Sequence, residues 1–428
     1  MKVKPASLLV IVILMNVIVA SCAPAPTATP QPTKAPAATK APVTGGSSTT
    51  APEFIEIGAS IPLTGKYASL GTMIKPGYEY AIADINAQGG VYVKQYDKKI
   101  PLRLTYSDDG SDPAKEVEIM DSLFAEKNLT AYLGGAGSDM HIAAAAVAEN
   151  NQVPYCGVAF SLWKVHQQGY RYLFSPFPKS PADAKDVFTF LNEVLPEGER
   201  PTKVAIFSET TDWGNELGSL WEREAVTHGF EIVVHEDYAP GTKDFSDLIQ
   251  KAKAAGAEAL LALPNFPDGT TLFNQMSELG WAPKYSLIIR AADNVTWVET
   301  LGKTGDYIAN FPGWHHALKF PGVEALNEKY QAEFGRPAEP LTGPAYACVQ
   351  IFANAIELAG TLDRQVIRDA VSITSMTTVI GPVSFNPDGT GYVLNPMVQW
   401  QNGKLELIWP LDQATAPFLY PAPPFDQR

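Results

Sequence analysis

At 428 residues the chain is longer than one hydrophobic core organises, so two similar lobes are expected. Its 46% hydrophobic and 18% charged residues are those of a folded protein. A formal net charge of -14 argues against nucleic acid and against an anionic membrane surface as partners, since both call for a basic patch.

Lys2 and Lys4 form a positive n-region, and Leu8 to Ala20 is an apolar core too short to span a bilayer comfortably. Residues 1–21 therefore read as an export signal. Val19-Ala20-Ser21-Cys22 resembles a bacterial lipobox, in which Cys22 is lipidated and becomes the mature N-terminus. An ordinary secretory signal or an uncleaved anchor is the alternative. Residues 22–52, rich in Pro, Ala, Thr and Ser, cannot bury enough apolar surface to fold and read as a spacer holding a domain off the membrane. The expected location is extracytoplasmic, with the bacterial cell membrane met through the lipid anchor only. Cys156 falls in a core-strand pattern and Cys348 in a helical one, so two buried thiols are expected, although export would permit a disulfide.

Phe54 to Ala59 alternates as a strand and opens into the loop Ser60 to Gly65. A helix through Tyr78 to Asn86 follows, stopped by Gly89-Gly90. Leu102 to Tyr106 is a second strand, and Asp112-Pro113 starts a helix with a cap residue and a first-turn proline. The stretch Ala131 to Ser161 then reads as strand, glycine-serine turn, small-residue helix from near Met140, strand and a second turn ending in serine. Parallel strands joined through a helix release their turns at one sheet edge, so Gly134 to Asp139 and Val158 to Ser161 are expected side by side, where open α/β sheets bind ligands. The unpaired N–H groups of that helix, with the Ser138 hydroxyl, suit a small anion such as a carboxylate. Leu173-Phe174 carries the strand that leaves this lobe.

From about Pro178 the pattern restarts without visible repetition: strands at Val204 to Phe207, Glu231 to His235, Ala259 to Leu263 and Tyr285 to Ile289, with helices at Asn215 to His228, Asp244 to Ala255 and Gly269 to Leu279. Two such series give an α/β fold of two doubly wound parallel-sheet lobes. Helices at Val323 to Phe334, Ala345 to Leu358 and Arg364 to Val371 follow, then strands at Val383 to Phe385, Val393 to Trp400 and Leu405 to Trp409. These should cross back to the first lobe, and Pro410 to Arg428 should be an extended strap or disordered.

No catalytic constellation is legible. Gly135-Ala136-Gly137 lacks the third glycine of a dinucleotide turn, since Met140 occupies it; Gly302-Lys303-Thr304 lacks the first glycine of a phosphate loop, and the histidines are dispersed. No cofactor and no metal are expected. What remains is a set of loops at one edge. Ser138 either caps its own helix or meets a ligand, and the two roles can coexist. Ser161 is a turn hydroxyl or a contact, Trp213 a packing or a cleft aromatic, and Arg290 and Asp293 are solvated or ligand-facing.

Over nearly all of Phe54 to Pro410 the chain resembles the type I solute-binding proteins of branched-chain amino acid ABC importers, the Leu/Ile/Val-binding family. The phrases that carry this are Pro62-Leu63-Thr64-Gly65 with Gly71, Ala83 to Gly90 (ADINAQGG), Asp108 to Pro113 (DDGSDP), Asp212-Trp213-Gly214 followed by Tyr238 and Asp244-Phe245-Ser246, Gly381 to Phe385 with Asp388-Gly389, and Gln399-Trp400, Gly403-Lys404 and Trp409-Pro410. The resemblance implies a periplasmic-binding-protein-like fold whose lobes are joined by a three-strand hinge near 175 to 180, 310 to 314 and 389 to 394. Lobe 1 is expected at 53–177 and 313–391, lobe 2 at 178–312 and 392–410, and a tail at 411–428.

It implies no enzyme but a monomeric receptor that captures a small carboxylate-bearing solute for an ABC permease and its ATPase. A sensory protein of the same fold reporting to a receptor kinase is the alternative. The carboxylate positions of the family carry over to Ser138, Ser161 and the backbone at Phe160. The first-lobe aromatic position falls at Leu70, with Tyr67 nearby, and the second-lobe aromatic at Trp213; Asn265 joins the ligand-binding candidates. The acid that holds an ammonium in the family is displaced, since the segment reads Arg290-Ala291-Ala292-Asp293. A bare arginine there would repel an ammonium and favour a second carboxylate, so amino acids, aromatic acids, dicarboxylates and amides all stay open.

Overall fold

The computed structural model describes residues 50–428. The signal segment, Cys22 and the spacer up to Thr49 lie outside the described residues.

The first part of the chain runs β1 (Ile55–Ile61), α1 (Ala68–Ala87), the hairpin β2 (Val91–Val93) and β3 (Lys98–Ile100), β4 (Leu102–Asp108), α2 (Pro113–Glu126), β5 (Leu129–Leu133), α3 (Ser138–Asn151), β6 (Tyr155–Cys156) and β7 (Leu173–Phe174). Strands β4-β1-β5-β6-β7 form a parallel sheet in that order. Every residue of β5 is buried, as a strand covered by helices on both faces requires. The Asp112 side chain caps α2 by accepting from the Ala114 N–H, with Pro113 in the first turn, as its sequence predicts. Helix α1 starts at Ala68, ten residues before the expected Tyr78, because Pro76 lies inside the helix without ending it.

The second series is α4 (Ser180–Val194), β8 (Lys203–Glu209), α5 (Asp212–His228), β9 (Glu231–Tyr238), α6 (Ser246–Ala254), β10 (Ala259–Ala262), α7 (Phe266–Glu278), β11 (Tyr285–Ile288), α8 (Thr296–Leu301) and β12 (Ile308–Asn310). The chain then forms α9 (Val323–Phe334), α10 (Thr342–Ala359), α11 (Arg364–Ser372), a small antiparallel sheet of β13 (Ser375–Thr378), β14 (Gly381–Phe385) and β15 (Gly391–Tyr392), and finally β16 (Met397–Gln401) and β17 (Lys404–Trp409). The second sheet has the order β17-β16-β12-β11-β10-β8-β9, with β16 and β17 antiparallel at one edge.

Both parallel sheets place their first strand second in the order, so each has a switch point: between β1 and β5 in one lobe, and between β8 and β10 in the other. Loops diverge to opposite faces there and leave a crevice at the carboxyl ends of the strands. The returning helices belong to the first lobe. Tyr330, Leu341, Ala345 and Ile351 share one core with Ile57, Ile74 and Leu133, and Gly77 brings α1 against α10, since a Cβ there would lie 2.4 Å from the Thr342 carbonyl oxygen.

Cys156 on β6 and Cys348 on α10 form a disulfide across a sequence separation of 192 residues, which corrects the expectation of two free thiols. Their buried positions are as read; their adjacency depends on α10 returning to the first sheet. The tail is an extended strap on the second lobe rather than disordered. Gln399 exchanges side-chain hydrogen bonds with the Leu419 backbone, the Ala422 N–H donates to the Lys284 carbonyl, and Phe418 packs on Phe190 and Tyr285. Of the expected strand Val393 to Trp400 only the part from Met397 forms; before it the chain is irregular, and the Asn395 amide donates to Asp183 and Asp186.

Candidate functional site

Both switch points open onto one cleft, with about 40 Å³ of space open to the centres of water molecules. Its first wall is Leu70, Gly137, Ser138 and the loop Ala159 to Ser161; its second is Trp213, Ile289, Arg290 and Asp293; Phe177, Phe311 and Leu341 complete the lining. A larger open groove of about 580 Å³ beside Phe230 and His235 lies along the edge strand β9, away from both sets of converging loops.

Gly137 occupies the cap position of α3 at φ 104 and so offers no side-chain cap, while the first-turn Asp139 carboxylate accepts from the Met140 N–H. Ser138 is therefore its first helical residue rather than its cap, and the helix begins before the expected Met140. A Cβ at Gly137 would sit 2.3 Å from the Tyr67 ring, so only glycine fits there. The first-turn N–H groups have no backbone acceptors within the helix, and Ser138 is 8% exposed at the cleft. Tyr67 stands behind this turn, donating its hydroxyl to Asp139 at 2.9 Å. Leu70 takes the place beside the cavity instead.

The facing loop is braced from beneath. The Phe160 carbonyl accepts from the Lys179 ammonium at 2.7 Å, and the Phe160 ring has that ammonium 3.6 Å from its centroid and stacks on the His141 ring at 4.1 Å. Burial drives the Lys179 pKa well below its ordinary value. The Ser161 carbonyl accepts from both the backbone N–H and the hydroxyl of Ser180, and its own hydroxyl bonds Asp183. Burial pushes Asp183 up to about 7.

On the second wall, Thr211 caps α5 through the Gly214 N–H and sets Trp213 in the first turn. The Arg290 guanidinium lies over Trp213, 5.2 Å from the ring, and turns back into its own lobe: it pairs with Glu209 at 2.5 Å and donates to the carbonyls of Leu263 and Pro264. The cation that threatened an ammonium is thus offset by a carboxylate. Asp293 faces the cleft with one oxygen held by the Asn310 amide, and burial raises its carboxyl to about 7, with Asn310 and Arg290 opposing the rise. Asn265 is not part of the lining. It caps α7 by accepting from the Asp268 N–H, and its amide donates to Asp268 and Glu209.

Sequence reasoning missed Glu209, Asn310, Phe177 and Phe311. Glu209 carried a signal, an acid closing an apolar strand at the ligand edge, whereas the others depend on how the crossover segments meet. The walls are also joined outside the cavity: Glu216 of α5 accepts from the Trp163 and Lys164 N–H groups at 2.8 Å each, and the Asn294 amide donates to the Ser69 carbonyl at 3.2 Å. Among the described residues no cluster of His, Cys, Asp or Glu side chains could hold a metal ion.

Comparison with known proteins agrees with this architecture. Residues 55–404 match the periplasmic binding protein family. Leu/Ile/Val-binding protein homolog 1 of Brucella abortus is 26% identical over 359 residues, covering 81% of this chain and 90% of that protein. A leucine binding protein from Thermotoga maritima superposes with a TM-score of 0.73 at 20% identity, covering 83% of this chain and 97% of its own. A branched-chain amino acid transporter substrate binding protein from Streptococcus pneumoniae, solved with isoleucine, gives 0.72 at 21% identity over 83% and 99%. A solute binding protein of an ABC transporter from R. palustris, solved with benzoate, gives 0.71 at 16% identity over 85% and 97%.

Proposed function

The chain belongs to the periplasmic binding protein family, and we propose that it captures a zwitterionic solute, an α-amino acid with an apolar side chain, outside the cytoplasm and hands it to an ABC permease and its ATPase. Such proteins bind their solute without converting it. The observation that carries the reading is the opposed polarity of the two walls: a helix N-terminus with Ser138 on one, and the buried carboxylate of Asp293 on the other.

In this reading the N–H groups of α3 and the loop at Phe160 and Ser161, with the Ser138 hydroxyl, hold the ligand carboxylate. Asp293 takes the ammonium, and Leu70 and Trp213 enclose the apolar body. Lobe 1 comprises 53–177 with 313–391, lobe 2 comprises 178–312 with 392–410, and they close about their three crossings. The protein works as a monomer, with Cys22 as its lipid anchor. Membrane retention that survives Cys22→Ser removes the anchor from the reading.

A ligand that binds only the native state must raise the unfolding midpoint. The purified full chain in mild detergent is therefore expected to gain several degrees with an apolar α-amino acid, and less with benzoate or succinate. If no carboxylate raises the midpoint, the assignment of the Ser138 turn is wrong.

A further inference from the structure

Arg290 lines the cleft, yet its partner lies outside it. Glu209 is 2% exposed at the end of β8, on the switch point of the second sheet, and does not line the cavity. Its Oε1 meets the Arg290 Nη2 at 2.5 Å and accepts from the Asn265 N–H at 3.1 Å, so the carboxylate is fixed from two sides. Burial works to ease Arg290 towards neutrality, but the Glu209 charge and hydrogen bond, with Tyr67 and Tyr238 beside it, together raise its pKa above the ordinary value, so the guanidinium stays ionised. Asp268 stands nearby with one buried oxygen lacking a partner. Arg290 thus acts on two acids of the second lobe, Glu209 and Asp293, while Asp268 adds its charge beside Glu209.

An unpaired guanidinium at a closed cleft selects a carboxylate, because its planar donors match those oxygens and its charge has few other outlets. We infer that Glu209 sets the charge class of the ligand from outside the cavity: by pairing Arg290 it leaves Asp293 as the charge the ligand meets, so that the second wall accepts an ammonium and refuses a second carboxylate. Glu209 is a specificity-determining positioning residue in this account, and the inference rests on the proposed seating of the ligand carboxylate on the first wall.

The test compares leucine, phenylalanine and glutamine with succinate and glutarate by calorimetry on the full chain in detergent. The wild type is expected to prefer the amino acids. Glu209→Gln keeps the shape and frees the guanidinium, and should shift the ratio of amino-acid to dicarboxylate affinity by on the order of a hundredfold towards the dicarboxylates. Glu209→Asp should keep the wild-type preference, and Glu209→Gln combined with Arg290→Gln should restore it, which a purely structural role would not do. Should Glu209→Gln fail to fold, Arg290→Gln alone must sharpen the amino-acid preference. An unchanged ratio in Glu209→Gln, or in Arg290→Gln where that is the variant measured, overturns the inference while the proposed function stands. A wild type that prefers dicarboxylates overturns it as well, and a wild type that binds no member of the panel overturns both.

Discussion

Asp293 shows how the fold changes what a residue can do. In sequence it is one acid three positions after an arginine; in the structure it is 7% exposed, hydrogen-bonded to Asn310 and raised by burial to about 7. Its folded-state pKa lies above the unfolded value, so the stability it contributes is fully present below about pH 4 and is lost as pH rises through about 7. Asp293→Asn should remove that loss, making the ligand-free protein more stable at pH 8 by on the order of 2–4 kcal/mol. Chemical denaturation of both proteins at pH 5 and pH 8 measures it; Asp183, shifted in the same direction, leaves a residual slope in both. Amino-acid affinity should rise with pH through the same range in the wild type, and be weak and nearly flat in the variant. A variant with wild-type affinity at pH 8 would take Asp293 out of the site.

At the scale of elements, the strand-helix alternation was legible because period-2 and period-3.6 patterns are local, and so were the Asp112-Pro113 start of α2 and the glycine turn before α3. The pairing of elements was not. The disulfide joins β6, two residues long, to α10, which reaches that strand only after the whole second lobe has been built. By closing so long a loop it restricts the unfolded chain and ties the returning helix to the strand that leads into the Phe160 loop. Replacing both cysteines by alanine should lower unfolding stability by roughly 2–5 kcal/mol. Equilibrium unfolding of the double variant checks this, and a midpoint equal to wild type would show that packing of α10 alone suffices.

At the scale of the whole molecule, polar contacts join the walls of the cleft, among them the Lys164–Asp212 ion pair at 4.0 Å. Glu216 bridges from α5 to the backbone of Trp163 and Lys164, and Asn294 reaches Ser69. In the proposed hinge closure these bonds form only when the lobes meet, so weakening one should lower the population of the closed form and, with it, the apparent affinity. Glu216→Gln is expected to weaken ligand binding about 3–10-fold while leaving the unfolding midpoint of the ligand-free protein within a degree or two. Titration calorimetry beside a thermal melt separates the two effects, and unchanged affinity would mean that closure does not depend on this bridge.

The sequence by itself determined the two α/β series and the serine-bearing turns at one edge, because periodicity and turn chemistry are properties of neighbouring residues. It also carried enough ordered phrases to reveal the family. The tertiary structure decided the meaning of Arg290. Whether a guanidinium repels an ammonium depends on what lies within a few ångströms of it, and Glu209, from another strand, is brought there by the pairing of both β8 and β11 with β10.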